Sequence, residues 1–311
     1  MNFKICKMHF STGLHIGKGL LTDGEPVFYA DTLFSALCHE ALKMEKLDTL
    51  FRYCKEGHLK FSDGMPFIQK ELYLPKPLLR VETDEEGSSK MKKLFKKLSY
   101  IPVEKFEEYL QGNLDVQKEK EKYDTLGKFQ MTQKVSVARE EEAEPYFVGS
   151  YHFQKEAGLY VIVSYDTEEV FEFFMELMRA LEYSGIGGKR TSGYGKFQLE
   201  CADMPMKLQE RMDIEKFSLK MVVSLALPTK DELKEACNDA NFQVIKRSGF
   251  VASDTYAKHL QRKKDFYAFA SGSCFQNTFD GDIYDVSMGG SHPVYQYAIP
   301  IFVGVKEWDN I

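Results

Sequence analysis

Apolar and polar positions alternate from Phe3 to Phe10, which predicts a half-buried first strand. Phe34, Leu37, Cys38 and Ala41 then fall at helical spacing, with Asp31 or Thr32 placed to cap the helix. Pro75, Pro77 and the run Glu85-Glu86-Gly87-Ser88-Ser89 interrupt regular structure, and Lys90 to Lys97 forms a basic stretch around Leu94 and Phe95. From about Gln111 to Glu144 the chain is polar and mixed in charge, which predicts a flexible or projecting insertion outside the core. Order returns with strands at Tyr151–Phe153 and Leu159–Val163, joined through a turn at Gly158. Asp166 and Glu169 resemble a capping box for a helix whose apolar face is Val170, Phe173, Phe174, Leu177 and Leu181. Gly185 ends that helix, and Phe197 and Leu199 alternate into a further strand.

Strand, helix, insertion, strand, helix, glycine-rich loop, strand is the order of a ferredoxin-like (RRM-like) βαββαβ unit. The predicted class is therefore α+β, with a first domain over residues 1–212 carrying an insertion at about 80–155. After a charged connector at Lys207–Lys216, a second module covers 213–311. It opens with a strand at Leu219–Leu227 and a helix from Lys230 to about Ala240, and continues through Val244-Ile245, Phe250-Val251, Phe266–Phe275 and Ile299–Val305. It reads as a second, degraded copy of the same fold.

Composition narrows the function classes. A chain of 311 residues with 43% hydrophobic and 14% aromatic content builds ordinary packed cores. Its net charge of −6 excludes a general polyanion binder, so any nucleic-acid contact has to be a local basic stripe on an acidic body. Six scattered cysteines, with no CxxC and no metal-like pairing with histidine, read as free thiols in a reducing cytoplasm. Met1-Asn2-Phe3-Lys4 opens no signal peptide and no apolar run is long enough for a membrane span, so the expected setting is cytoplasmic, away from membranes.

The densest chemistry lies at Gly185-Ile186-Gly187-Gly188-Lys189-Arg190-Thr191-Ser192-Gly193-Tyr194-Gly195. Glycines let backbone N–H groups approach an anion, and Lys189 and Arg190 add charge and forked donors suited to phosphate. A nucleotide-binding P-loop is excluded, because its pattern requires Gly at 183 and Ser or Thr at 190, where the chain has Tyr183 and Arg190. The order helix–loop–strand is also the reverse of a P-loop. Single-stranded RNA is gripped by cations along phosphates and aromatics against unstacked bases, and Lys189, Arg190 and Tyr194 supply both. Lys246-Arg247-Ser248-Gly249-Phe250 repeats the recipe; Ser271-Gly272-Ser273 is either a further contact or a plain turn.

A glycine-rich loop after the last helix of a ferredoxin-like domain resembles the RAMP superfamily of CRISPR proteins. Together with Leu33–Leu37, Leu74-Pro75-Lys76-Pro77, Lys246–Phe250 and Ala270–Ser273, it resembles the family of subunits that hold the crRNA 5′ handle in the type III-A Csm effector complex. The resemblance implies a cleft between two ferredoxin-like folds that grips the handle. It implies one face for the large polymerase-like signature subunit and another for the repeating crRNA-backbone subunit. It further implies a projecting β-hairpin, the thumb, at the handle–guide boundary near target RNA. Here that thumb falls around Val135–Arg139, with Val135 and Val137 on one side and Lys134 and Arg139 on phosphates. The RNA-contacting set is then His15, Lys18, Lys134, Arg139, Gly185, Gly187, Gly188, Lys189, Arg190, Thr191, Ser192, Tyr194, Lys246, Arg247, Ser248, Phe250, Ser271 and Ser273.

No cofactor or metal is expected, and the subunit is expected to be non-catalytic. His15, in the glycine-rich segment after the first strand, is the one residue that fits a metal-independent endoribonuclease processing crRNA precursors. A purely structural bridge without RNA contact is the other alternative.

Overall fold

Residues Ala157–Tyr165 form a strand in which every position is buried, so both faces of it are covered. Around it the computed structural model, which describes residues 1–81, 89–136, 144–253 and 255–306, is an α+β fold of antiparallel sheets. The first half contains β1 (Asn2–Phe10), α1 (Ala30–Lys43), α2 (Leu47–Lys55), β2 (Leu59–Phe61), β3 (Met65–Ile68), β4 (Glu71–Pro75), α3 (Ser89–Lys97), β5 (Tyr100–Pro102), α4 (Phe106–Leu110) and α5 (Val116–Tyr123). Then come β6 (Gly127–Ser136), β7 (Glu144–Phe153), β8 (the buried strand), α6 (Glu168–Ser184), β9 (Phe197–Ala202) and α7 (Met206–Met212). The remainder is β10 (Leu219–Val222), α8 (Leu233–Ala236), β11 (Val244–Arg247), β12 (Phe266–Phe269), β13 (Cys274–Phe275), β14 (Asp282–Asp285), β15 (Tyr295–Ala298) and β16 (Phe302–Val305).

The main sheet runs β5-β4-β3-β8-β1-β9, with β2 also paired to β8. Period-two alternation sorts its side chains. Cys6 and Met8 of β1, with Leu159, Val161 and Val163 of β8, face α1 and α6, where Phe34, Leu37, Phe174, Leu177 and Leu181 complete one core. Ile5, Tyr160 and Ile162 face the other way, onto Leu219, Met221, Val303 and Val305 of the sheet β13-β10-β16. The sheet β13-β10-β16 of the second module is therefore packed on the face opposite the helices, while Ile283 and Tyr297 of β14 and β15 join the helix-side core against Phe34 and Phe61. Arg211 of α7 fastens the β13-β10-β16 sheet further: its guanidinium donates to the Gly304 carbonyl at 2.9 Å and to Glu107 at 2.6 Å.

Several sequence expectations need correction. Neither Asp31 nor Thr32 caps α1; its start is at Tyr29, and the Ala30 N–H is taken by Asp63 from the β2–β3 connection at 2.7 Å. Gly158 is not a turn: it lies inside β8, where a Cβ would stand 2.9 Å from the Phe67 ring, and the β7–β8 turn passes instead through Glu156 at positive φ. Thr167, not Asp166, caps α6, its hydroxyl accepting from the Val170 N–H at 3.4 Å. The polar stretch after Gln111 is not all outside the core, because Val116, Glu119 and Leu126 are buried and Lys105 pairs with Glu119. The helix expected from Lys230 to Ala240 is reduced to α8. Cys6 and Cys201 stand directly opposite in the β1–β9 register, with Cα atoms 4.1 Å apart, and form a disulfide, so only Cys38, Cys54, Cys237 and Cys274 are free thiols. Val137 and Arg139 lie outside the described residues. No helix among the described residues is long and apolar enough to cross a membrane.

Asp63 joins three parts of the chain. It accepts from Ala30 N–H at 2.7 Å and from Leu225 N–H at 2.8 Å, and its own N–H donates to the Val223 carbonyl at 3.0 Å. Burial raises its pKa to about 7, against the opposing pull of these N–H donors. The folded value lies above the unfolded one. This group's contribution is therefore fully present below pH 4 and lost as pH rises through 7. Asp63→Asn keeps one acceptor for both N–H groups and removes the titration. Urea midpoints measured from pH 4.5 to 8.5 are expected to fall more steeply in the native chain than in Asp63→Asn. Parallel curves would show that Asp63 does not titrate in this range.

Candidate functional site

A cleft of about 920 Å³ opens between the first module and the second. Its walls are the segment His15–Leu21, the first two turns of α1, the glycine loop at Gly187, Gly188 and Arg190, and, opposite, Ile245–Phe250 with Arg262 and Lys263. Residues separated by more than two hundred positions thus share one site.

The glycine loop is stapled to the segment after β1. Gly188 N–H donates to the His15 carbonyl at 2.8 Å and Gly195 N–H to the Gly13 carbonyl at 2.9 Å. Gly187 has φ 89°, and a Cβ there would sit 2.6 Å from the His15 carbonyl oxygen. At Gly195, φ 74°, a Cβ would overlap the Ile186 carbonyl. Close packing as well as ligand access therefore explains these glycines. After them, Lys189 takes a left-handed conformation at φ 59° and Arg190–Ser192 make one 3-10 turn, which presents Thr191 and Ser192 to solvent. Gly185 does what the sequence predicted and closes α6 at φ 77°.

His15 itself is buried. Its Nδ1 lies 2.6 Å from the Gly149 carbonyl, which can only accept, so Nδ1 donates there. Its ring lies between Gly17 and Gly188.

The opposite wall is held by a buried polar network. Arg247 makes a bidentate pair with Asp31, at 2.8 and 2.9 Å, and donates to Thr32 at 3.2 Å, with its guanidinium 4.6 Å from the Tyr29 ring centroid. Gln296 donates to the same carboxylate at 2.6 Å, and Lys263 donates to Gln296 at 2.7 Å. Burial alone would push Asp31 up; the charge and hydrogen bonds of Arg247 outweigh it and hold the carboxyl below its ordinary value. Arg247 is thus committed to the fold, whereas its strand neighbour Lys246 points outward and pairs with Asp265 at 2.7 Å.

Charge in the cleft is partly spent. Lys18 pairs with Glu25 at 2.5 Å. Arg190 and Arg262 have no carboxylate partner within ion-pair distance among the described residues. His39, on the helix wall, is lowered by its burial and then by the charges of Arg190 and Lys43, so it is neutral at pH 7. Ser248 and Phe250 are exposed at the opposite rim.

Other predicted residues stand elsewhere. Strands β6 and β7 form a two-stranded ribbon over ten residue pairs from Gly127↔Phe153 to Ser136↔Glu144, and β7 is tied to the segment after β1 by an isolated bridge between Tyr151 and Leu14. The inner side of this ribbon rests on the glycine loop: Lys134 Nζ is 4.5 Å from the Tyr194 ring centroid and Lys189 Nζ is 5.1 Å from that of Tyr146. Tyr194 is buried beneath Lys134. Val135, Met131 and Phe147 are exposed on the outer side. Ser273 is buried, bonded to Ala270 O and Gln243 N, and Ser271 lies beside Asp63. The wall residues His39, Arg262 and Lys263 carry no sequence motif of their own, and Asp31 reads in the sequence only as a helix cap.

With this geometry in place, comparison with known proteins is specific. The RAMP superfamily matches residues 7–198, and the CRISPR Csm4 C-terminal domain matches residues 215–305. The CRISPR system Cms protein Csm4 of Mycobacterium tuberculosis (strain H37Rv) is 36% identical over 308 residues, covering 99% of each chain. The protein of the same name from Streptococcus thermophilus is 35% identical over 310 residues, covering 97% of this chain and 98% of its own. Among solved structures, a chain of the Csm3-Csm4 subcomplex in the type III-A CRISPR-Cas interference complex shares the fold with a TM-score of 0.67 at 18% identity, covering 99% of this chain and 100% of that one. A chain of the Csm1-Csm4 cassette in complex with pppApA does so with a TM-score of 0.61 at 22% identity, covering 99% of both.

Breaking the pair between the walls should be costly, and removing it whole should not. Asp31→Ala strands a half-buried guanidinium and Arg247→Met strands a buried carboxylate, each at about 3–5 kcal/mol. The double variant Asp31→Leu with Arg247→Met is expected to recover most of that in urea unfolding. Hydrogen exchange at 245–250 should nevertheless be faster in it than in the native chain, because the wall has lost its anchor. Additive losses in the double variant would mean that the two residues act separately.

Proposed function

The chain belongs to the Csm4 family within the RAMP superfamily, and from that premise we propose that it holds the crRNA 5′ handle in the cleft between the glycine loop and β11. One observation carries this reading. Arg190 with the glycine loop and the segment Lys246-Arg247-Ser248-Gly249-Phe250, far apart in the chain, line a single cleft. Cationic and aromatic groups along a groove are what a single strand requires. We take the first module, with strand order β9-β1-β8-β3 and α1 and α6 on one face, as a ferredoxin-like domain over residues 1–212. Residues 213–311 form the second domain, a divergent copy.

The solved pairings of relatives with Csm3 and with Csm1 support a bridging role. One surface would meet the crRNA-backbone subunit and another the large polymerase-like signature subunit, in the cytoplasm. The ribbon β6–β7 is the thumb of this proposal; its exposed outer residues Met131, Val135 and Phe147 would meet the guide–target duplex at the handle boundary. His15 then serves as a packing and backbone-ordering residue. It donates to Gly149 and leaves catalysis to other subunits.

Arg190→Ala tests the reading, with Lys189→Ala as the control for the ribbon side of the loop. Neither residue has a carboxylate partner among the described residues, so the fold should persist in both variants while handle binding weakens in Arg190→Ala. The lost phosphate contact should flatten the salt dependence of binding by about 0.7 in logarithmic slope. An unchanged slope for Arg190→Ala across a salt titration of repeat-derived RNA would remove the cleft from the account. Specific cleavage of that RNA by the pure chain in EDTA, abolished by His15→Ala, would favour the endoribonuclease instead.

A further inference from the structure

Phe250 is an apolar ring that the fold leaves 57% exposed at the rim of a polar cleft. It stands opposite Arg262 in an isolated antiparallel bridge, and the guanidinium carbon lies 5.8 Å from the ring centroid. Two further bonds fix this short ribbon: Val251 N–H to the Gln261 carbonyl at 2.9 Å, and Lys263 N–H to the Gly249 carbonyl at 3.0 Å. Lys263 is in turn tied through Gln296 to Asp31, and so to the first turn of α1. The ring is therefore presented on a rigid support. Arg262, which has no carboxylate partner within ion-pair distance among the described residues, stands beside it. Facing them across the cleft are Arg190 and a His39 held neutral by burial and the charges around it.

An exposed aromatic with an adjacent arginine is a platform for an unstacked base, because every base offers a π-face and the guanidinium stacks and pairs with phosphate at once. Resting on the cleft as the RNA site, we propose that Phe250 and Arg262 form a base-stacking subsite for one extruded nucleobase of the bound single strand. Arg190, on the other wall, holds the neighbouring phosphate. Stacking of this kind carries no base code of its own, so the subsite fixes register along the strand and leaves base identity to hydrogen-bonding groups such as His39.

The test uses the full chain and repeat-derived single-stranded RNA in which 2-aminopurine replaces one handle nucleotide at a time. Anisotropy reports binding as a whole and 2-aminopurine fluorescence reports stacking at each position. One position is expected to be quenched on binding. In Phe250→Ala that quenching should vanish there alone and affinity should fall about tenfold, whereas Phe250→Trp should retain both. Arg262→Gln should weaken binding with partial loss of quenching at the same position. RNA that binds through Arg190 yet shows no position sensitive to Phe250 overturns the subsite and leaves the cleft standing. RNA that fails to bind the native chain overturns both. A fall in thermal midpoint of Phe250→Ala together with loss of binding would identify Phe250 as a packing residue and overturn the subsite as well.

Discussion

The bidentate pair between Asp31 and Arg247 fixes where the two walls of the cleft stand. Asp31 lies in the first turn of α1, which packs on the main sheet, and Arg247 ends β11 in the second module. Stability does not come chiefly from this pair. The desolvation cost of a buried pair cancels much of its attraction, whereas each fully buried Phe or Leu contributes roughly 1.5–3 kcal/mol. Those side chains fill two cores on either side of the sheet. What the pair adds is direction: a planar guanidinium donates to both oxygens of a carboxylate in few orientations, so wall position follows from its geometry. Gln296 and Lys263 extend the same constraint to the strand beneath Phe250.

On the other wall the constraint is steric. The glycine loop closes against His15 and Ile186 so tightly that side chains at Gly187 and Gly195 would meet backbone oxygens. Packing of this sort brings N–H groups and Arg190 to the cleft without requiring the loop to be flexible. Lys134 and Tyr146, on the paired strands of the ribbon, cover its other side through cation–aromatic contacts with Tyr194 and Lys189. A single eleven-residue loop thus faces the cleft with Arg190 and the ribbon with Lys189 and Tyr194.

Much of this was legible in the sequence, where local patterns carry it. The strand at Phe3–Phe10, the helix ending at Gly185 and the two basic glycine-containing segments rest on periodicity and turn chemistry over short spans. What escaped depends on long separations. Asp63 capping α1 and Cys6 opposite Cys201 are products of topology, the latter across 195 residues. Asp31 reads as a helix cap until Arg247, 216 residues on, is seen to claim it. Lys246 and Arg247 read as an RNA-facing pair, yet neighbours on a strand point to opposite sides, so Lys246 meets solvent and Asp265 while Arg247 is claimed by Asp31 in the polar network of the cleft wall. Tyr194 reads as a stacking surface, yet the glycine loop folds back on itself and buries the ring beneath Lys134.

The central claim is that one RNA strand lies between these walls, and photo-crosslinking measures it most directly. The full chain would be irradiated with repeat-derived RNA carrying 4-thiouridine and the adducts mapped by peptide mass spectrometry. Adducts within both 15–19 or 187–190 and 246–250 or 262 are the predicted result. Adducts confined to surfaces remote from the cleft, such as the groove of Lys46, Tyr53 and Arg179 between α2 and α6, would contradict it.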